Sequence, residues 1–196
     1  MSKGKRKPSL YDFSRQGLDS AEEFERYWAE VNSGNDRSAC LVSTTAIGHI
    51  IVELMQKYFI ELTKDEHDKL FFERNSTLGT FAQRIDIAFA LGFISRSERD
   101  DLNIIRRIRN AFAHSVANIS FDNKLVADEC RKLKNYKNPN PDGKAVTKPR
   151  DIYMETLHTI FIALQDKILE WQKNKIKEQK RELRRLRRLT STLRPT

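Results

Sequence analysis

Apolar residues recur along this chain three and four positions apart, the spacing of one face of an α-helix. Strongly alternating Val/Ile/Thr runs, the mark of strands, are absent. The first helical run opens behind a capping box, Ser20 with Glu23, and sets Phe24, Tyr27, Trp28 and Val31 on one face. Ser33-Gly34-Asn35-Asp36 reads as a turn. A long helix over 38–60 follows. Its apolar positions are Ala39, Val42, Ala46, Ile50, Leu54 and Phe59, joined by Ile47, Ile51, Met55 and Tyr58. So broad a stripe predicts burial around much of the circumference. Thr63 and Glu66 form a second capping box, for a short helix ending at Phe71-Phe72. Segment 78–91 carries Leu78, Phe81, Ile85, Ala88 and Phe89 and stops at Gly92. Ser95 and Glu98 form a third capping box, and the helix behind it turns Leu102, Ile105, Ile108 and Phe112 inward. Gly92 between these two helices predicts an antiparallel pair. A short helix near 124–134 has Val126, Cys130 and Leu133 on one side, and 135–149 reads as a surface loop. The last helix starts near 150 and buries Tyr153, Leu157, Ile160, Phe161, Leu164 and Ile168. Beyond Trp171, Ile176, Leu183, Leu186 and Leu189 thin out among Lys and Arg. There is no internal repeat.

The expected fold is therefore all-α: a compact helical bundle over 19–171 with a long basic C-terminal helix extension over 172–196. Residues 1–18 form a basic tail expected to lack order. Composition agrees, with 39% apolar residues, 32% charged, and only 7 Gly and 5 Pro. Charge changes the picture more. Of the net +9, residues 1–7 carry +4 through Lys3, Lys5, Arg6 and Lys7. Residues 172–196 carry +8, from ten Lys or Arg against Glu178 and Glu182, which leaves 8–171 at −3. A slightly acidic body with basic ends attracts polyanions, by releasing counterions from nucleic acid or by attraction to anionic lipid. The absence of Trp and Phe from 172–196 weighs against deep insertion into lipid. A solvated helix or a protein partner for this extension stays open. No apolar run long enough for a membrane span is expected, and the N-terminus lacks the apolar segment of a signal peptide. The expected location is the cytoplasm. Cys40 and Cys130 are far apart in sequence, without metal-ligand spacing, and are expected to be buried free thiols.

The candidate chemistry lies in 103–114, Asn-Ile-Ile-Arg-Arg-Ile-Arg-Asn-Ala-Phe-Ala-His. Arg106, Arg107, Arg109 and Asn110 are interleaved with apolar residues and followed by His114. A guanidinium grips phosphate oxygens with a planar fork, and an imidazole moves protons near neutral pH. On a helix, Asn110 and His114 face one way with Arg106 and Arg107 near them, while Arg109 is about 140° from His114. Arg109 reaches His114 only if the helix ends near Phe112, if its side chain wraps, or if the partner is in a second chain. The alternative is structural: Arg109 pairs with Glu53 or Asp86, and His114 caps the helix end. Of the other histidines, His49 is expected in the core, His67 in solvent, and His158 without a partner. Acidic runs near helix starts are explained by the helix dipole, so no metal and no cofactor are expected. In the extension the candidate phosphate contacts are Lys180, Arg181, Arg184, Arg185, Arg187 and Arg188.

Residues 77–115 resemble the core of the mannitol operon repressor-like proteins. The matching features are Leu78-Gly79, the apolar helix ending at Leu91-Gly92, Ile94-Ser95, and the Arg-to-His segment. The resemblance is strong over these residues and weak over 38–170. It implies an all-helical cytoplasmic bacterial protein linked to transcriptional repression without a helix-turn-helix. The string Arg109-Asn110-Ala111-Phe112-Ala113-His114 is also similar to the motif of HEPN domains, named for higher eukaryotes and prokaryotes nucleotide-binding. Those are helical, usually dimeric, and often metal-independent endoribonucleases. That resemblance implies that His114 handles the ribose 2′-hydroxyl proton while Arg109 and Asn110 hold the scissile phosphate. The expected function is that of a nucleic-acid-directed regulator, with the endoribonuclease as alternative. The expected partners are DNA or RNA, a second copy in a homodimer, and a regulatory protein.

Overall fold

Five of the helices begin where a side chain replaces a missing backbone partner. The computed structural model describes residues 21–73, 75–138, 143 and 145–192, the side chains of 21, 185 and 187–192 excepted. The tail 1–18 and the Ser20 cap lie outside the described residues. Helix α1 spans Ala21–Ser33 and α2 spans Asp36–Tyr58, with the Asn35 side chain accepting the Ser38 N–H at 2.9 Å. The capping boxes Thr63/Glu66 and Ser95/Glu98 both form, opening α3 over Lys64–Phe71 and α5 over Arg96–His114. A further box, Thr80/Gln83, escaped the sequence reading and opens α4 over Phe81–Ala90. Asn123 caps α6, Lys124–Cys130, and α7 runs unbroken over Pro149–Thr192. No strand occurs among the described residues.

Gly92 has φ +73°, where a Cβ would be strained. Its N–H meets Phe89 O at 3.0 Å and the Phe93 N–H meets Ala88 O at 2.8 Å, a Schellman motif that ends α4 and returns the chain as α5. The antiparallel pair expected from Gly92 is present.

Helix α2 is the centre, packed on α1, α4, α5 and α7. Cys40, Ile47, Ile51, Leu54 and Met55 are buried along it. Of its expected core positions, Ala46 and Phe59 are half-buried and two are exposed: Val42 by 43% and Tyr58 by 55%. Neighbouring helices cover α2 except on one sector, where Val42 sits with Thr45. Tyr58 is in the last turn, with one ring face against Phe93 at 4.7 Å. By length and hydropathy α2 passes as a membrane span, contrary to the expectation that no such run exists. Its apolar window has a mean hydropathy of 1.5, and 61% of it is buried inside the bundle, as in a core helix.

Polar side chains fix the ends of the bundle. The Arg150 guanidinium donates to Asp36 Oδ1 at 2.6 Å and to the carbonyls of Asn32 and Gly34 at 2.8 and 2.7 Å. Asp36 Oδ2 accepts the Phe121 N–H at 2.9 Å. Buried Asp101 accepts the Lys134 and Asn135 N–H groups at 2.9 and 2.7 Å, holding the chain beyond α6 to α5. Buried Arg84 donates to Leu78 O and Phe71 O, both at 2.8 Å, bracing the α3–α4 loop.

Candidate functional site

The site is built on the last three turns of α5. Leu102, Ile105, Ile108 and Phe112 are all buried, which anchors one face of α5 and leaves Arg106 and Asn110 half-buried and His114 exposed beside it. The helix continues through His114, so an end near Phe112 does not bring Arg109 and His114 together. Among the described residues His114, exposed at the end of α5, shares no hydrogen bond with Arg109 or Asn110.

Arg109 and Asn110 do meet: Arg109 Nη1 donates to Asn110 Oδ1 at 3.2 Å. The carboxylates expected for Arg109 are engaged elsewhere. Glu53 pairs with Lys57 and Asp86 with Arg99, each at 3.6 Å. The Arg109 charge lowers the Cys40 thiol of α2 slightly, against the larger upward effect of burial. Arg106 is half-buried, and its Nε is fully buried with no hydrogen-bond partner. Arg107 is exposed but paired with Glu129 at 2.8 Å. Hydrogen bonds from Lys132 and Arg107 hold the Glu129 carboxyl below the ordinary carboxylate range. Two of the α5 arginines, Arg99 and Arg107, thus have carboxylate partners, while Arg106 and Arg109 have none among the described residues.

Arg37, which the sequence reading did not single out, closes the site from α2. Its Nη1 and Nη2 donate to Ser115 O at 2.9 Å and Ala117 O at 3.0 Å, fixing the strand of chain that leaves His114. No local signal could have found it, because Arg37 and Ser115 are 78 positions apart.

The other histidines depart from expectation. His49 is half-buried rather than in the core. His67 is half-buried too, hydrogen-bonded to Gln56 and tilted against Phe71 and Phe72 at 5.2 and 5.3 Å. His158 has aromatic partners: it stacks on Phe24 at 5.6 Å and tilts against Trp28 at 5.2 Å. Among the described residues no group of three or more His, Cys, Asp or Glu is placed to hold a metal ion. Cys40 and Cys130 are free and buried, as expected, and burial pushes each thiol up to about 12.

On α7 the side chains of Lys180, Arg181 and Arg184 are exposed, and those of Arg185, Arg187 and Arg188 lie outside the described residues. The basic extension is helical to Thr192 and continuous with the bundle helix.

No family model matches this chain, and no curated protein matches it. The fold is similar to a chain in the X-ray structure of the MtlR-HPr complex from Escherichia coli, with a TM-score of 0.51 and 16% identity. The match covers 75% of this chain and 96% of that one. What the likeness shows is the fold, an MtlR-like all-α bundle.

Proposed function

We propose that this chain is a nucleic-acid-directed regulatory protein whose α5 face and α7 extension contact phosphates. The observation that carries the reading is the pair of arginines without carboxylates. A half-buried guanidinium is costly to leave without an anion, so Arg106 and Arg109 favour an anionic ligand. Asn110, whose Oδ1 is taken by Arg109, keeps its amide donors for the same ligand. Lys180, Arg181 and Arg184 add charge along α7. The resemblance to the mannitol operon repressor-like proteins and the MtlR-like fold support a regulator. That neighbour is in complex with a second protein, HPr, so a regulatory protein partner belongs to the reading. A cytoplasmic location and a homodimer belong to it as well.

The test is binding of the full chain to duplex DNA and to single-stranded RNA across about 50–200 mM salt. Arg106→Ala and Arg109→Ala should each lower the slope of log K against log salt by about 1. Arg107→Ala should change it less, because Glu129 already neutralises that charge. Equal slopes for all three variants and the parent chain would remove the α5 face from the interface.

A second reading is favoured by one further observation. His114 is exposed and unpaired among the described residues, one helical turn from Asn110. An imidazole so placed can take the proton of a ribose 2′-hydroxyl while Arg109 and Asn110 hold the phosphate, as in metal-independent HEPN endoribonucleases. Cleavage of RNA in EDTA, ending in 2′,3′-cyclic phosphate and lost on the order of 100-fold in His114→Ala, would favour the nuclease. Cleavage that persists in His114→Ala would overturn this assignment.

A further inference from the structure

Four apolar residues stand seven apart along the outer side of α7: Ile162, Leu169, Ile176 and Leu183. They are 36%, 49%, 51% and 49% exposed. The positions three further on are Gln165, Gln172, Gln179 and Leu186, so the stripe is apolar at every seventh residue and mostly polar beside it. Single exposed apolar residues are ordinary, but four of them seven apart line one side of a helix, the spacing by which one helix packs on another. The bundle leaves Ile162, Leu169, Ile176 and Leu183 exposed. Its own contacts with α7 are made by Tyr153, Leu157, Ile160, Phe161, Leu164 and Ile168 on a different face.

Charge selects the occupant. A parallel copy would set Lys173, Lys175 and Lys180 beside themselves. An antiparallel copy brings its basic end to the first half of α7, where Glu155, Asp166 and Glu170 lie. Helix α1 adds Glu22, Glu23, Glu25 and Glu30 against Arg26, and Phe24 stacking on Phe161 at 4.3 Å fastens α1 there. The acid that complements the basic extension is therefore in this same chain, beside the same stripe.

We propose that α7 pairs through this stripe with α7 of a second copy, running antiparallel. Lys177, Arg181 and Arg184 stay on the outward positions, free to meet phosphates. The proposal rests on the homodimer of the proposed function, but its surface is separate from the α5 face, so its failure leaves the phosphate contacts of that face standing.

The test is sedimentation of the nucleic-acid-free full chain at micromolar concentration, beside the double variant Ile176→Asp/Leu183→Asp. Both positions are half-exposed, and helical content and urea midpoint should not change. The parent chain should sediment as a dimer, and the variant should dissociate at least tenfold more readily. Spin labels on Arg184→Cys chains report direction. The midpoint of the seam and a rise of about 1.5 Å per residue put them about 35 Å apart if antiparallel and about 15 Å apart if parallel. A monomeric parent chain, a variant that stays dimeric, or the shorter distance would each overturn the proposal. A monomer that associates only on adding an acidic helical peptide would give the seam to another protein, and overturns it equally.

Discussion

Tyr153 is fully buried on α7, and its hydroxyl is held at 2.7 Å from Thr44 Oγ1 and at 3.2 Å from Cys40 Sγ. Cys130 lies close enough to act on the same group. Burial keeps all three acids protonated: the thiols are pushed up to about 12, and the phenol stands well above its ordinary value. The consequence for stability follows from proton counting. Below pH 9 the thiols are neutral in folded and unfolded chains alike, and their contribution is fully present. Above it the unfolded chain ionises at the ordinary thiol value of 9.0 while the folded chain does not, so stability falls as pH rises toward 12. The melting temperature should therefore drop more steeply from pH 9 to 11 in the parent chain than in Cys40→Ala/Cys130→Ala. In the native protein neither thiol should react with a disulfide reagent until denaturant is added. Native thiols that react at the unfolded rate would contradict this. Single residues were legible to different degrees. Both cysteines read correctly because each falls on an apolar helical face. His158 read wrongly because its partners Phe24 and Trp28 come from α1, more than a hundred positions away.

Helix α5 carries the candidate site, and its start sets the phase of everything along it. The Ser95 hydroxyl accepts the Glu98 N–H at 3.2 Å while the Glu98 carboxylate accepts the Ser95 N–H at 2.6 Å. Ser95→Ala removes one side of this box and should cost about 1 kcal/mol, read as a lower urea midpoint with unchanged m-value. An unchanged midpoint would show that packing of Ile105 and Phe112 alone fixes the helix start. Elements of this kind were legible because their signals are local: capping boxes, a left-handed glycine, and apolar spacing. Boundaries moved by a few residues at most. Apolar spacing predicts 38–60 where α2 spans Asp36–Tyr58, and 124–134 where α6 spans Lys124–Cys130. The candidate site was legible only as residues sharing a face. Spacing shows that Asn110 and His114 point one way. It does not show that Arg109 turns to Asn110 or that Glu129 neutralises Arg107, since those depend on rotamers and on α6.

At the scale of the molecule, the ties between distant segments were the least legible part. Arg150 with Asp36, Arg37 with Ser115, and Asp101 with Asn135 join positions 33 or more apart, and nothing local marks them. The charge distribution, in contrast, is a property of the sequence and carries a prediction about the whole chain. The buried stripe of α7 ends at Ile168, with Trp171 only partly covered, and beyond it Ile176, Leu183 and Leu186 are about half exposed. Removing 172–196 takes away +8 of charge but none of the buried stripe. The shortened chain should unfold at the same urea midpoint as the full one, because the ties at Asp36 and Asp101 remain. Its affinity for nucleic acid should fall and its salt dependence flatten, since each phosphate no longer neutralised removes about 0.9 from the slope on duplex DNA. It should also lose the dimer, because half of the α7 seam goes with the deletion. The three readings separate the causes. A lowered midpoint would mean that the extension supports the bundle. An unchanged salt slope with a lost dimer would mean that the extension serves assembly, and that phosphates meet the α5 face alone.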